Sequence, residues 1–192
     1  MTYEDIVNKY ILEKRPEARE DMREFKNERS PSAAIRRAAL CKTREGKRYK
    51  HQWRIPGELL EEAETKLQAI RGKISKAPDF AALHQSIKEE IGCTKGIGAL
   101  TVYDIAHRIG AYFNMPPNRV YLHAGTRVGA RAFGICGDSF DPKDPKILPK
   151  PFSLLTPSEI EDCLCSYRNE LRDRTLNRNG TGCGVRGRKG CC

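Results

Sequence analysis

The chain has no apolar run near the ~18 residues needed to cross a bilayer, which excludes a spanning helix and leaves no membrane partner expected. It has no CxxC pair. Cys41, Cys93 and Cys136 are isolated, Cys163 and Cys165 lie two apart, and Cys183, Cys191 and Cys192 fall in a glycine-rich end. His51, His84, His107 and His123 make no ligand spacing with them, so neither a metal site nor a disulfide framework is expected. The thiols read as small buried hydrophobes or free groups. A G-x-x-x-x-G-K-[ST] loop is missing, which excludes that class of nucleotide-binding protein. No motif calls for a cofactor. Alternating strand patterns and internal repeats are almost absent. The opening "MTYEDIVNKYILEKRPE" is charged from its fourth residue and lacks a secretory apolar segment, so an intracellular protein is expected, cytoplasmic or nuclear in a eukaryote.

Positive charge is what the chain has in excess. Lys and Arg number 35 against 25 Asp and Glu, for a net charge of +10. The excess is concentrated in residues 36–54, "RRAALCKTREGKRYKHQWR", where eight cations face Glu45 alone and account for +7 of it. Such a footprint fits a polyanionic partner. Within it, Tyr49, His51 and Trp53 alternate with Lys47, Arg48, Lys50 and Arg54. Aromatics among cations are how sequence-tolerant single-strand binding works. Trp53 reads equally well as a core anchor for the helix that follows, with the cations merely solvated.

Helical periodicity predicts an all-α fold. Residues 2–28 read as one helix, amphipathic at Ile6, Tyr10 and Ile11 and then charged through "REDMREFKNER"; "AAIRRAAL" is a second. After Pro56, Leu59, Leu60, Ala63, Leu67 and Ile70 share a face. Asp79 caps a helix striped by Phe80, Leu83, Ile87 and Ile91. Thr101 and Asp104 read as a capping box, starting another helix at 101 or 102 that ends at Asn114 before Pro116-Pro117. "VYL" at 120–122 is a short strand or an extended approach to a helix over "AGTRVGARAF". A proline-rich loop covers 137–151, and Thr156-Pro157-Ser158-Glu159 opens a helix through about Leu171. The expected organisation is a basic helical extension at 1–55, a core at 56–172, and a disordered Gly/Arg/Cys tail at 173–192.

The stretch "CTKGIGALTVYDIAHRIGAYF", residues 93–113, carries the functional question. Lys95-Gly96-Ile97-Gly98 between two helices is either a plain αα-turn or a cradle for a phosphate. Glycine allows positive φ and a close backbone approach. The amides of the following helix then face the anion, helped by its dipole, while Ile97 anchors the loop and Lys95 adds a cation.

The run from about 79 to 113 resembles a helix-hairpin-helix motif. "GIGALTVYDI" is similar to the G-x-G-x-x-T-A-x-x-I run of endonuclease III-type DNA glycosylases. "VYLHAGTRVGARAFG" is similar to their V-D-x-H-x-x-R-V-x-x-R segment, with one residue inserted. The resemblance covers about 45 residues and implies backbone contact by Lys95, Gly96, Ile97, Gly98, Thr101, Arg127 and Arg131. It departs at the catalytic positions: Tyr121 stands where that family has an aspartate, and Leu100 where its bifunctional members have a lysine. Their four-cysteine cluster is unmatched. The expectation is therefore nucleic-acid binding, duplex DNA over RNA, with no evident catalysis and no catalytic residue assigned; Lys47, Arg48, Lys50 and Arg54 extend the contact. A protein-interaction module or homo-oligomer is the alternative, and a divergent repair enzyme using His123 or Asp138 ranks third.

Overall fold

A computed structural model describes residues 1–144 and 146–176. Most of the tail expected to be disordered, including its three cysteines, lies outside the described residues. Among those described there are ten α-helices, one 3₁₀ turn and a two-stranded sheet, so the fold is all-α. No helix there is long and apolar enough to cross a membrane.

The chain divides into two compact units, residues 16–117 and residues 1–15 with 118–192. The boundaries differ from the break read at residue 55. The basic segment belongs within a unit rather than forming an extension, because the helix before it is apolar on one side and buried there.

In the 16–117 unit, α2 (Arg15–Lys26) follows α1 (Tyr3–Glu13), so the single helix read over 2–28 is two. Lys14 closes α1 by donating its amide to the Tyr10 carbonyl, and Pro16 sits in the first turn of α2, where a missing amide costs nothing. Ser30 caps α3 (Pro31–Ala39), accepting from the Ala33 amide at 3.1 Å. Next come α4 (Gly57–Ala69), α5 (Arg71–Ser75), α6 (Phe80–Ile91) and α7 (Ala99–Tyr112). α3 packs on both α4 and α7, burying Ala34, Ile35, Ala38 and Ala39 completely. Small alanines let these helices come close. Asp79 caps α6 as expected, its Oδ1 accepting from Ala82 at 2.9 Å. Asn114, at φ 56°, closes the far end of α7 in the left-handed conformation that asparagine tolerates.

The acidic run of α2 has one focus. Arg37 of α3 donates to Glu28 at 2.9 Å and Glu24 at 2.8 Å, and lies 3.7 Å from Asp21. Its guanidinium sits 4.0 Å from the Phe25 ring centroid, and its Nε donates to the Lys42 carbonyl at 3.2 Å. The side chain is only 12% exposed. Arg37 is thus consumed by the fold and withdrawn from the basic surface.

The second unit builds a core from Ile6, Val7 and Tyr10 of α1 with Val120, Leu122, Phe140, Phe152, Ile160, Leu164 and Leu171. The "VYL" segment is a strand: β1 (Val120–Tyr121) pairs antiparallel with β2 (Ser139–Phe140), Val120 opposite Phe140. α8 (Ala124–Arg131) follows β1, and a 3₁₀ turn (Lys150–Leu154) precedes α9 (Pro157–Ser166). The Thr156 capping box forms, with the Thr156 amide donating to Glu159 at 2.9 Å. The helix expected through Leu171 breaks at Tyr167 and resumes as α10 (Arg168–Leu176), past the tail boundary read at 172. Arg15 ties the unit internally, 3.2 Å from Glu159 and donating to the Leu154 carbonyl at 2.8 Å.

Removing the cation of this part-buried cluster leaves three carboxylates without their counter-charge. Arg37→Ala should destabilise the protein by about 3 kcal/mol in urea denaturation. Arg37→Lys should recover only part of this, since an ammonium cannot present two parallel donors.

Candidate nucleic-acid interface

The segment joining α6 to α7 is built around one tight turn. The Ile97 amide donates to the Thr94 carbonyl at 2.9 Å, and Gly96, third in that turn, has φ 94°. A positive φ at this place is what a type II turn requires, and glycine supplies it without steric cost. Ile97 is 5% exposed and pins the turn, while Lys95 stands in solvent. Lys66 of α4 donates to the Thr94 hydroxyl at 3.3 Å, and Leu59 lies under Gly96, so α4 supports the turn from below.

α7 starts two residues earlier than its sequence suggests, with Gly98 at the N-cap. Thr101 is buried rather than capping, and Asp104 accepts from Gln52 instead. The capping-box reading is therefore corrected. The hydrophobic demand of Val102 and Ile105 draws the helix start back to the glycine, and the Asp104 carboxylate meets a buried amide. No side chain caps Gly98, whose carbonyl accepts the first helical bond from Val102 at 3.1 Å. The amides of the first turn therefore have no acceptor within the helix and carry the positive end of its dipole. Gly98 itself is extended, at φ −91°, and a Cβ there would meet nothing within 4 Å. Only Gly96 of the two glycines is required by backbone conformation.

The basic segment folds into a tight turn on the same unit. Lys42 bridges to Arg48, Thr43 donates to the Lys47 carbonyl at 2.8 Å, and Gly46 turns the chain at φ 79°. Arg36, Lys42, Arg44, Lys47, Lys50 and Arg54 are exposed; Arg48 is half-buried, donating to the Ile55 carbonyl at 2.9 Å. The aromatics divide. Tyr49 faces inward, donating to Asp21 beneath the Arg108 guanidinium, which lies 3.7 Å from its ring centroid. Trp53 faces outward, 64% exposed, so the core-anchor reading is corrected. Gln52 beside it takes the buried position, with no exposed surface, and donates to Asp104. Gln52 and Arg108 were missed in the sequence, and Asp104 was read only as a cap, because a charge or an amide carries no apolar periodicity.

Arg127 and Arg131 lie on α8, in the other unit. Both are exposed, and Arg127 pairs with Asp138 at 2.5 Å. The small residues beside them serve helix packing: a Cβ at Gly129 would come 2.1 Å from the Leu164 carbonyl oxygen, and one at Gly125 2.5 Å from the Cys165 sulfur. His123 is buried with its Nε2 2.7 Å from Glu161, which also accepts from Thr126 at 2.6 Å. That arrangement ties α8 to α9. Asp138 is almost fully exposed. Among the described residues no group of three or more His, Cys, Asp or Glu could hold a metal ion.

Compared with protein-family models, curated proteins and solved structures, the chain matches none.

Two outcomes follow for this region. Gly96→Ala forces a side chain into a positive-φ turn and should cost about 1–2 kcal/mol. Gly98→Ser, free of clash and strain, should be neutral or stabilise by a few tenths of a kcal/mol through a new cap, both read by thermal and urea unfolding. His107 of α7 gives the second. It packs against Tyr103 at 5.7 Å and Phe80 at 6.5 Å between ring centroids. Burial lowers its pKa to about 4, with Asp104 opposing and Arg108 assisting. The neutral ring is favoured in the folded state, so its stabilisation is complete above about pH 6.5 and is lost as pH falls toward 4. Stability should drop across that window by on the order of 2 kcal/mol, reduced because the residue is only partly buried, and His107→Gln should flatten the dependence.

Proposed function

We propose that this protein binds nucleic acid through the turn at Thr94–Ile97 and the uncapped N-terminus of α7, duplex DNA ahead of RNA. The observation that carries the reading is the combination at Gly98. First-turn amides without a side-chain cap stand behind a residue with no side chain, beside the exposed Lys95. A phosphate there would accept from backbone amides, gain from the dipole and pair with Lys95. The likeness of Lys95–Thr101 to helix-hairpin-helix proteins supports DNA over RNA. Lys47, Lys50 and Arg54 add non-specific attraction from the same unit, and that contribution falls as salt rises. Arg127 and Arg131 lie on α8 in the other unit, and the reading is argued without them. No catalytic step is proposed, since Leu100 and Tyr121 occupy the positions where the resembled family has its reactive groups.

A second reading rests on Leu12 and Leu154, 76% and 63% exposed in the other unit. In that reading the two exposed leucines meet a protein partner or a second copy of the chain. Stable self-association with no affinity for DNA would favour it.

Gly98→Asp separates binding from folding because it moves them in opposite directions. An aspartate at the N-cap accepts from the first-turn amides and complements the dipole, so the melting temperature should hold or rise. The same carboxylate occupies and repels the phosphate site, so affinity for a short DNA duplex should fall about tenfold or more. Asn8→Asp, at an exposed position of α1, makes the same charge change elsewhere and should leave affinity nearly unaltered. Equal affinities for the two variants across a salt titration would overturn the proposal.

A further inference from the structure

The proposed duplex contact leaves one feature of the same unit unexplained. Trp53, the only tryptophan of the chain, is 64% exposed at the end of a turn that is otherwise firmly held. A large indole in water is an unfavourable arrangement unless something covers it. Its described ring contact is Arg54, whose guanidinium lies 5.0 Å from the ring centroid. Around it Lys47, Lys50 and Arg54 are all exposed, and His51 beside it is exposed as well. No carboxylate follows until Glu58.

The backbone beneath the ring is fixed from three sides. Gln52 is fully buried and bonded to Asp104. Tyr49 is clamped between Asp21 and Arg108, and Arg48 holds the Ile55 carbonyl at 2.9 Å. The ring is thus presented on a preformed support, which lowers the ordering cost of binding. An unheld loop would offer no such advantage.

We infer that Trp53 is a stacking platform for an unpaired base, and that the ligand is DNA in which a single strand adjoins a duplex. Positive charge around an exposed aromatic is the composition of single-strand grooves, where the cations track the backbone and the ring takes the base. Arg54 is placed to hold one face of the indole while a base takes the other. The spacing joins this to the proposed duplex site, on which the inference rests for its double-stranded half. Asp104 lies six residues beyond Gly98 on α7, and Gln52 beside Trp53 is bonded to it. At about 1.5 Å per helical residue plus the two side chains, the ring support lies within about 20 Å of the turn, roughly six nucleotides of one strand. A protein partner would more naturally be met by a surface of balanced charge, or by apolar neighbours for the ring, and the 42–54 turn offers Glu45 alone against its exposed cations and no other exposed apolar side chain.

The lone tryptophan makes the test direct. The 192-residue chain is titrated with a blunt DNA duplex, the same duplex carrying a thymidine overhang, and a thymidine single strand, all dye-labelled for anisotropy. Indole emission is followed alongside. The overhang duplex and the single strand should quench emission, and the blunt duplex should bind without quenching. Trp53→Ala should weaken the overhang duplex about tenfold, leave the blunt duplex unchanged and preserve the melting temperature; Trp53→Phe should retain most of the affinity. Saturation by the overhang duplex without quenching, or an equal loss on both duplexes, would overturn the inference. So would an emission shift that grows with protein concentration in the absence of DNA, since another copy of the chain would then cover the ring. Failure of the duplex reading is distinguishable. In that case the blunt duplex does not bind, while the single strand still quenches Trp53 and still depends on it.

Discussion

The 16–117 unit depends on the placing of one guanidinium among three carboxylates. Arg37 binds Glu24 and Glu28, approaches Asp21 and covers Phe25, so that α2, otherwise too polar to pack, acquires a buried face. Phe25 is the one residue of α2 buried in the core. Without the cation, the acidic side of that helix would meet α3 with uncompensated charge, a cost far above what a single phenylalanine returns. Asp21 extends the effect. It receives the Tyr49 hydroxyl and lies 3.9 Å from Arg108, coupling α2 to the basic turn and to α7. The surface loop and the helix proposed to face DNA are therefore oriented through one polar network.

That network changes how the charge of the chain should be understood. The cations of residues 36–54 look equivalent in the sequence, yet they divide by partner. Arg37 is neutralised inside the fold, Arg48 is spent on a carbonyl, and the remaining six are left to solvent. Net charge alone overstates the field that a polyanion would meet and understates how locally it is arranged.

The helices were legible where a single rule governed them. Asp79 and Thr156 carried their caps into the structure because side chain and first-turn amide lie within a few residues of each other. The all-α class followed from periodicity in the same way. The start of α7 was not legible, since the T-x-x-D pattern was a local coincidence overruled by a bond from Gln52, 52 positions away in the chain. Tyr49 and Trp53 could not be sorted for a similar reason: which aromatic turns inward depends on Asp21 and Arg108, distant in sequence. At the site, Gly96 was readable as a turn glycine and Ile97 as its anchor, whereas the open space at Gly98 became visible only in three dimensions.

Gly129 meets the α9 backbone so closely that a single added carbon would lie 2.1 Å from the Leu164 oxygen. That oxygen belongs to main chain and cannot rotate aside as a side chain would. The distance between α8 and α9 is therefore set by an atom that is missing. A methyl group at this position would demand that the pair separate. For a protein under mutation, this makes residue 129 a dead end in nearly every direction. The exposed turn around Trp53, in the other unit, is open to change and able to acquire new partners.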